Sequence, residues 1–183
     1  VARSQCQVMQ PTPNLMVSQA VKVILNEVTS TRRRWLNGNV EVVGSQADVV
    51  IANPNGITCN GCGFINTNRG VLTTGMPVFG GQGSLDSFRV TQGDILVGED
   101  GLNGSDSQQI DVLTRALQVR GPIWAKKLNA IVGSNDIDFT HLTLTEISND
   151  TEFPSIGIDI ATLGGMYAGK IHLISNEAGV GVN

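Results

Sequence analysis

Apolar positions along this chain fall in short runs, most of them followed within a few residues by Gly or Asn. Residues 20–28 alternate in part and are rich in Val and Ile, which predicts a strand with Val21, Val23 and Leu25 on one face. Residues 29–39 break it as a loop. Residues 40–43 and 48–52 predict further strands, preceded by Asn37-Gly38, a hairpin-type dipeptide. Val71-Leu72-Thr73-Thr74 comes next, then the glycine-rich Gly80-Gly81-Gln82-Gly83, then residues 84–97 as two strands broken near Gln92-Gly93. Beyond them apolar segments recur at residues 110–113, 116–119, 123–125 and 130–132. Short strands with turns this frequent do not suit a meander of long hairpins. They fit the coils of a β-solenoid, in which each coil buries its apolar face only by stacking on its neighbours. Spacing is irregular, so periodicity alone leaves a β-sandwich open.

Residues 134–155 are more polar, with Asp136, Asp138, Asp150 and Glu152 around a strand predicted at residues 141–147. The segment reads as an excursion from the coils. Ile158-Asp159-Ile160 and Ile171-His172-Leu173-Ile174 resume the coil pattern. At the other end, residues 1–10 show no clear period, and Pro11-Thr12-Pro13-Asn14-Leu15 is a turn signal leading into Leu15-Met16-Val17.

The densest stretch runs from Asn53 to Thr67. Pro54 fixes φ near −65° and Asn55-Gly56 enters the positive-φ region cheaply, so a tight corner closes the apolar run Val49-Val50-Ile51-Ala52. Asn60-Gly61 bends the backbone again between Cys59 and Cys62. In an oxidising compartment that bend brings the two thiols close enough for a small-ring disulfide.

These residues resemble the central motif of two-partner secretion domains, found in filamentous haemagglutinin-type adhesins, haemolysins and contact-dependent growth-inhibition toxins of Gram-negative bacteria. The resemblance rests on Asn53-Pro54-Asn55-Gly56-Ile57, the Cys59 and Cys62 pair and Gly63-Phe64-Ile65-Asn66-Thr67. It extends through Ile24-Leu25-Asn26-Glu27-Val28, Gly44-Ser45-Gln46-Ala47-Asp48-Val49-Val50 and Leu72-Thr73-Thr74-Gly75. It returns in Leu163-Gly164-Gly165-Met166-Tyr167 and Asn176-Glu177-Ala178-Gly179-Val180-Gly181-Val182. It implies a right-handed parallel β-helix with extra-helical β-hairpins, forming one domain over residues 1–183 whose N-terminal cap is incomplete or discontinuous before about residue 15. Family members carry a signal peptide and cap upstream, so a chain that starts at Val1 is expected to be an internal fragment or to lack residues there. Their β-helix also continues past the far end, which makes the last coil an unfinished edge.

The function implied is secretion targeting: the extended domain is recognised in the periplasm by the POTRA domains of a TpsB-type outer-membrane transporter, and it folds on export as a template for downstream β-helix repeats. The product is secreted or held at the cell surface. The site residues carried over are Asn53, Pro54, Asn55 and Gly56 as the secretion motif. Thr12, Pro13, Asn14 and Leu15 form a second element, with Thr12 standing where the family has Asn. An exported protein favours a structural disulfide between Cys59 and Cys62 over a metal or redox pair, and leaves Cys6 single, in a position read as buried.

Composition agrees with this reading and excludes several others. The 183 residues suffice for one core, and 40% hydrophobic, 15% charged and 22 Gly suit glycine-turned strands better than charged helices. A net charge of −4 offers no footprint for nucleic acid. No apolar run approaches the roughly 18 to 20 residues of a membrane span, so stable membrane insertion is not expected. Arg32-Arg33-Arg34 reads as a solvated loop run. Gly164-Gly165-Met166-Tyr167-Ala168-Gly169-Lys170-Ile171 matches a P-loop up to its lysine but has Ile where Ser or Thr must hold Mg²⁺, and reads as a glycine-lined turn. Neither residues 80–86 nor residues 100–106 complete a calcium loop, and His141 and His172 lack zinc-ligand spacing to the cysteines. No metal or other cofactor is expected. The enzymatic alternative is a polysaccharide lyase or hydrolase using Asp94, Glu99, Asp136 and Asp138 as acid and base. Two Trp and one Tyr offer few platforms for sugar rings, and these carboxylates read as a solvated rim. A third reading makes the region itself an adhesin segment.

Overall fold

The structure, a computed structural model, describes residues 7–9, 22–147, 156–160, 165–176 and 181–182. After β1 (Gln7–Met9), the strands β2 (Val23–Glu27), β3 (Arg34–Leu36) and β4 (Asn39–Val42) lie on three different faces. The next coil repeats them as β5 (Ala47–Ala52), β6 (Ile57–Cys59) and β7 (Cys62–Ile65). β8 (Thr67–Thr73) begins a third coil, which leaves the stack through β9 (Met76–Phe79) and β10 (Leu85–Val90) and returns as β11 (Asp94–Val97) and β12 (Leu102–Gly104). A fourth follows in β13 (Gln109–Thr114), β14 (Ala116–Val119) and β15 (Pro122–Val132). A second excursion, β16 (Asn135–Asp138) and β17 (Leu144–Glu146), precedes β18 (Ile156–Ile160), β19 (Gly165–Ser175) and β20 (Gly181–Val182).

Like strands stack in parallel. β2, β5, β8, β13 and the second half of β15 form one face, β3, β6, β11, β14, β18 and β20 a second, and β1, β4, β7, β12 and the first half of β15 the third. β19 pairs with both halves of β15. The result is the all-β architecture of parallel sheets curling round an axis, with antiparallel hairpins outside it. Side chains at the same position in successive coils lie one above another, so inward positions become continuous apolar columns. One column runs Val49, Gly70, Ile110, Leu128, Ile171, and another runs Ile57, Ile95, Leu117, Ile158. Most of these side chains are fully buried, each contributing about 1.5–3 kcal/mol.

Outside the coil, β9, β10, β16 and β17 form a four-stranded antiparallel sheet. It covers the outer side of the β5–β8–β13 face with Phe88, Val90, Ile137 and Phe139, which pack on Val50, Val71, Leu113 and Ile131 in a second core. Between these layers lies a buried ion pair of Arg69 and Asp111. Gln109 and Asn129 also donate to the Asp111 carboxylate, and Arg69 lies 4.5 Å over the Phe139 ring. A buried carboxylate needs this many donors to offset its desolvation.

Five local expectations change. Asn37-Gly38 is not a hairpin: β3 pairs with β6 and β4 with β7, so the dipeptide turns the chain from one face to the next. Residues 123–125 and 130–132 belong to one 11-residue strand, because Lys126-Lys127 bends across the edge between two faces without a glycine. The strand expected at residues 141–147 is shorter, Leu144–Glu146, and its partner is Asn135–Asp138. The glycine-lined turn expected around Gly165 is instead the start of β19. Arg34 opens β3 rather than lying in a solvated loop. In addition, β9 had no expectation, since Pro77 and the flanking glycines mask it. Of the three large aromatic residues counted against sugar binding, two are stacked on each other, Trp124 and Tyr167, with centroids 4.4 Å apart.

Candidate functional site

Of the three corners of the second coil, two are held by asparagine amides and one by a disulfide. The first joins β5 to β6 through Asn53, Pro54, Asn55 and Gly56. Asn53 is fully buried. Its backbone N–H donates to Thr73 O at 2.9 Å, and its side-chain oxygen accepts from the Asn55 N–H at 3.0 Å. Its Nδ2 donates both to Gly56 O and to Arg32 O, each at 3.0 Å. The exposed Asn55 donates through Nδ2 to Ser30 O at 3.1 Å, and Pro54 O accepts from Gln92 Nε2 at 3.3 Å. Gly56 is buried at φ +97°, a conformation that L side chains rarely adopt.

Arg33 lies across this corner. Its Nη1 donates to Ile57 O at 3.0 Å and Thr58 Oγ1 at 3.1 Å, while Nη2 pairs with the Asp94 carboxylate. The solvated reading of the arginine run therefore fails for Arg33 as well. Gly93 lies against the motif from the other side: a Cβ there would stand 2.5 Å from Pro54 O.

At the second corner Cys59 and Cys62 are joined by a disulfide with Cα atoms 5.3 Å apart. Both are buried in the coil interior. Asn60 brackets Asp100 of the following coil, donating to its carboxylate at 2.7 Å and accepting from its N–H at 3.1 Å. At the third corner Asn66, in the left-handed region at φ 53°, donates to Val42 O at 2.6 Å and Gly44 O at 2.8 Å.

The four motif residues thus come together, but not as a uniform surface: Pro54 is half-buried and Asn55 exposed, while Asn53 and Gly56 are interior. Thr12, Pro13, Asn14 and Leu15, like Cys6, lie outside the described residues. The carboxylates considered as acid and base are spread over separate partners: Asp94 on Arg33, Asp136 on Arg89 at 2.9 Å and Asp138 beside the His141 ring at 3.3 Å, with Glu99 exposed. The Asp136 carboxylate raises the affinity of Arg89 for its proton, chiefly by hydrogen bonding. Donation from the His141 backbone N–H is the main cause that lowers the Asp138 pKa. Among the described residues no group of three or more His, Cys, Asp and Glu side chains can hold a metal ion, and no helix is long and apolar enough to cross a membrane. Arg33, Asp94 and Gln92 are participants that chain order did not mark, because their partners lie 24 to 61 positions away.

The family model of the TPS secretion domain matches residues 9–183. The chain belongs to that family. A solved relative, the filamentous hemagglutinin secretion domain, superposes with a TM-score of 0.85 at 32% identity, over 90% of this chain and 58% of that one. The TPS domain is also 44% identical over 174 residues to the 16S rRNA endonuclease CdiA of Enterobacter cloacae. It is 44% identical over 170 residues to the tRNA nuclease CdiA-2 of Burkholderia pseudomallei. These alignments cover 95% and 93% of this chain but only 5% of either relative. As a TPS domain the region is a non-catalytic secretion module, so the carbohydrate-active alternative falls. Membership implies export across the Gram-negative envelope with a transporter partner.

Proposed function

We propose that this TPS domain carries a large CdiA-type exoprotein to its TpsB-type transporter. The POTRA domains bind the extended domain in the periplasm, and the coils fold once outside. Membership of the family over residues 9–183 carries this reading, and the corner assembled from Asn53, Pro54, Asn55 and Gly56 supplies the element to be read. An extended chain offers its backbone for pairing with a partner's sheet edge, the β-augmentation mode of recognition. No ATP is available in the periplasm, so the free energy of folding outside is the bias on transport direction.

After export the stack serves as a template. Among the described residues β19 pairs only with β15, and its Ile171 and Leu173 remain partly exposed on what would be the growing end. Downstream repeats of the longer protein would bury them. The relatives named as nucleases and toxins favour a contact-dependent growth-inhibition toxin over an adhesin for that longer protein.

The test is a reporter fused behind this chain, with a signal peptide supplied ahead of it, in a bacterium with and without the cognate transporter. The reporter is expected outside only when the transporter is present. Equal export in its absence, or retention in its presence, contradicts the proposal.

A further inference from the structure

Half of the motif is hidden in the folded domain. Asn53 has no exposed surface and its side chain is fully engaged, and Gly56 is buried beneath an arginine. We propose that Arg33 and Asp94 form a clasp that closes over the motif once the domain has folded and holds it out of the transporter's reach. This rests on the recognition role given to the motif above.

The clasp follows from register. Arg34, Ile57 and Ile95 are paired neighbours on adjacent strands, so Arg33, Gly56 and Asp94 occupy the position just before them in three successive coils. Arg33 spans the column: Nη1 holds Ile57 O and Thr58 Oγ1 of the middle coil, and Nη2 reaches the Asp94 carboxylate of the next. It can pass only because residue 56 has no side chain. A Cβ there would stand 2.9 Å from Arg33 Cζ and Nη2 and 3.0 Å from Asp94 O. The same corner is gripped through Ser30 O and Arg32 O on the preceding side, and through Thr73 O and Gln92 on the following side. None of these partners is local, so none is in place until the coils stack.

The consequence is a competition between folding and recognition. A partner that reads the Asn53 side chain binds only the fraction of molecules in which these coils are apart, and its apparent affinity scales with that fraction. Two kinds of damage to the fold then act differently. Losing the clasp opens the corner and strengthens apparent binding, whereas losing the Asn53 side chain opens the corner but removes what is read, so binding falls short of what the lost stability would bring. Arg33 and Asp94 are positioning residues in this scheme and do not touch the transporter.

The experiment titrates the isolated POTRA domains into the chain and into Arg33→Ala, Asp94→Asn, Asn53→Ala and Val112→Ala, with a melting curve for each. Val112, an apolar side chain fully buried in the coil interior, is the control for general destabilisation. Expected are gains of about fivefold to tenfold in apparent affinity for Arg33→Ala and Asp94→Asn, the size of one partly exposed charge-assisted contact. Val112→Ala should gain less per degree of lost melting temperature, and Asn53→Ala should gain least per degree or lose affinity outright. Weaker or unchanged binding by both clasp variants, with Asn53→Ala below Val112→Ala per degree, overturns the clasp and leaves recognition standing. Equal gains per degree from Val112→Ala and Arg33→Ala also overturn the clasp. A gain per degree by Asn53→Ala equal to or above that of Val112→Ala overturns recognition through this motif, and the withdrawal with it.

Discussion

The corners at residues 53–56 and 59–62 sit on the same coil and hold the chain in unlike ways. The disulfide is local: it joins residues three positions apart and needs no neighbouring coil to exist. The amide corner adds distant partners to a local turn: beside the bonds among Asn53, Asn55 and Gly56, Asn53 and Asn55 donate to carbonyls more than 20 positions away and Arg33 crosses from one adjacent coil to the other. A local staple shapes the extended chain as well as the folded one, whereas the distant half of the amide corner exists only in the folded stack. The second kind can therefore report whether the domain has folded.

The two corners differ most at Asn53. Asn53→Ala leaves Arg32 O, Gly56 O and the Asn55 N–H without their partner inside the protein, and the expected loss is about 3 kcal/mol of unfolding free energy by urea titration. A loss below about 1 kcal/mol would mean that water replaces the amide and that the corner is not interior. Replacing Cys59 and Cys62 together by Ser should cost about 2 kcal/mol, because so small a ring restricts the unfolded chain only modestly. The same urea titration checks it. A cost above that of Asn53→Ala would reverse the ranking of the two corners.

A third turn calibrates the first. Asp138 accepts from the His141 N–H at 2.6 Å, a side-chain oxygen closing a turn as Asn53 does for Asn55, but at the exposed loop end of a hairpin. Its folded pKa is lowered, so its contribution is full above the ordinary carboxylate value of about 3.9 and disappears as pH falls through the lowered one. Melting curves of the chain and of Asp138→Asn should differ slightly at neutral pH and converge in acid. A difference that persists in acid would assign the effect to something other than the carboxylate charge.

Much of the fold could be read from residue order because the strongest signals are local. Val49-Val50-Ile51-Ala52, Ile95-Leu96-Val97 and Ala116-Leu117-Gln118-Val119 each show their strand, and Pro54 with Asn55-Gly56 shows its corner. What failed was non-local. Asn37-Gly38 announces that the chain turns but not which sheet it turns into, since a hairpin and a coil corner share the same backbone needs. Pro77 disguised an edge strand, a place in a sheet where its missing N–H is tolerated. For the candidate site, the motif was visible but its burial was not: Asn reads as a surface turn residue until Arg32, Thr73 and Arg33 close around it. Asp94, one of several scattered carboxylates in the sequence, takes its meaning from an arginine 61 positions earlier.

The most direct measurement is refolding in competition. The chain is diluted from urea into increasing concentrations of tryptophan-free POTRA domains while the emission of Trp35 and Trp124 is followed. If folding withdraws the motif, the observed rate falls in inverse proportion to the POTRA concentration once it exceeds the dissociation constant, and the folded product is released. A rate independent of POTRA concentration, or a fully folded domain that remains bound, would contradict it.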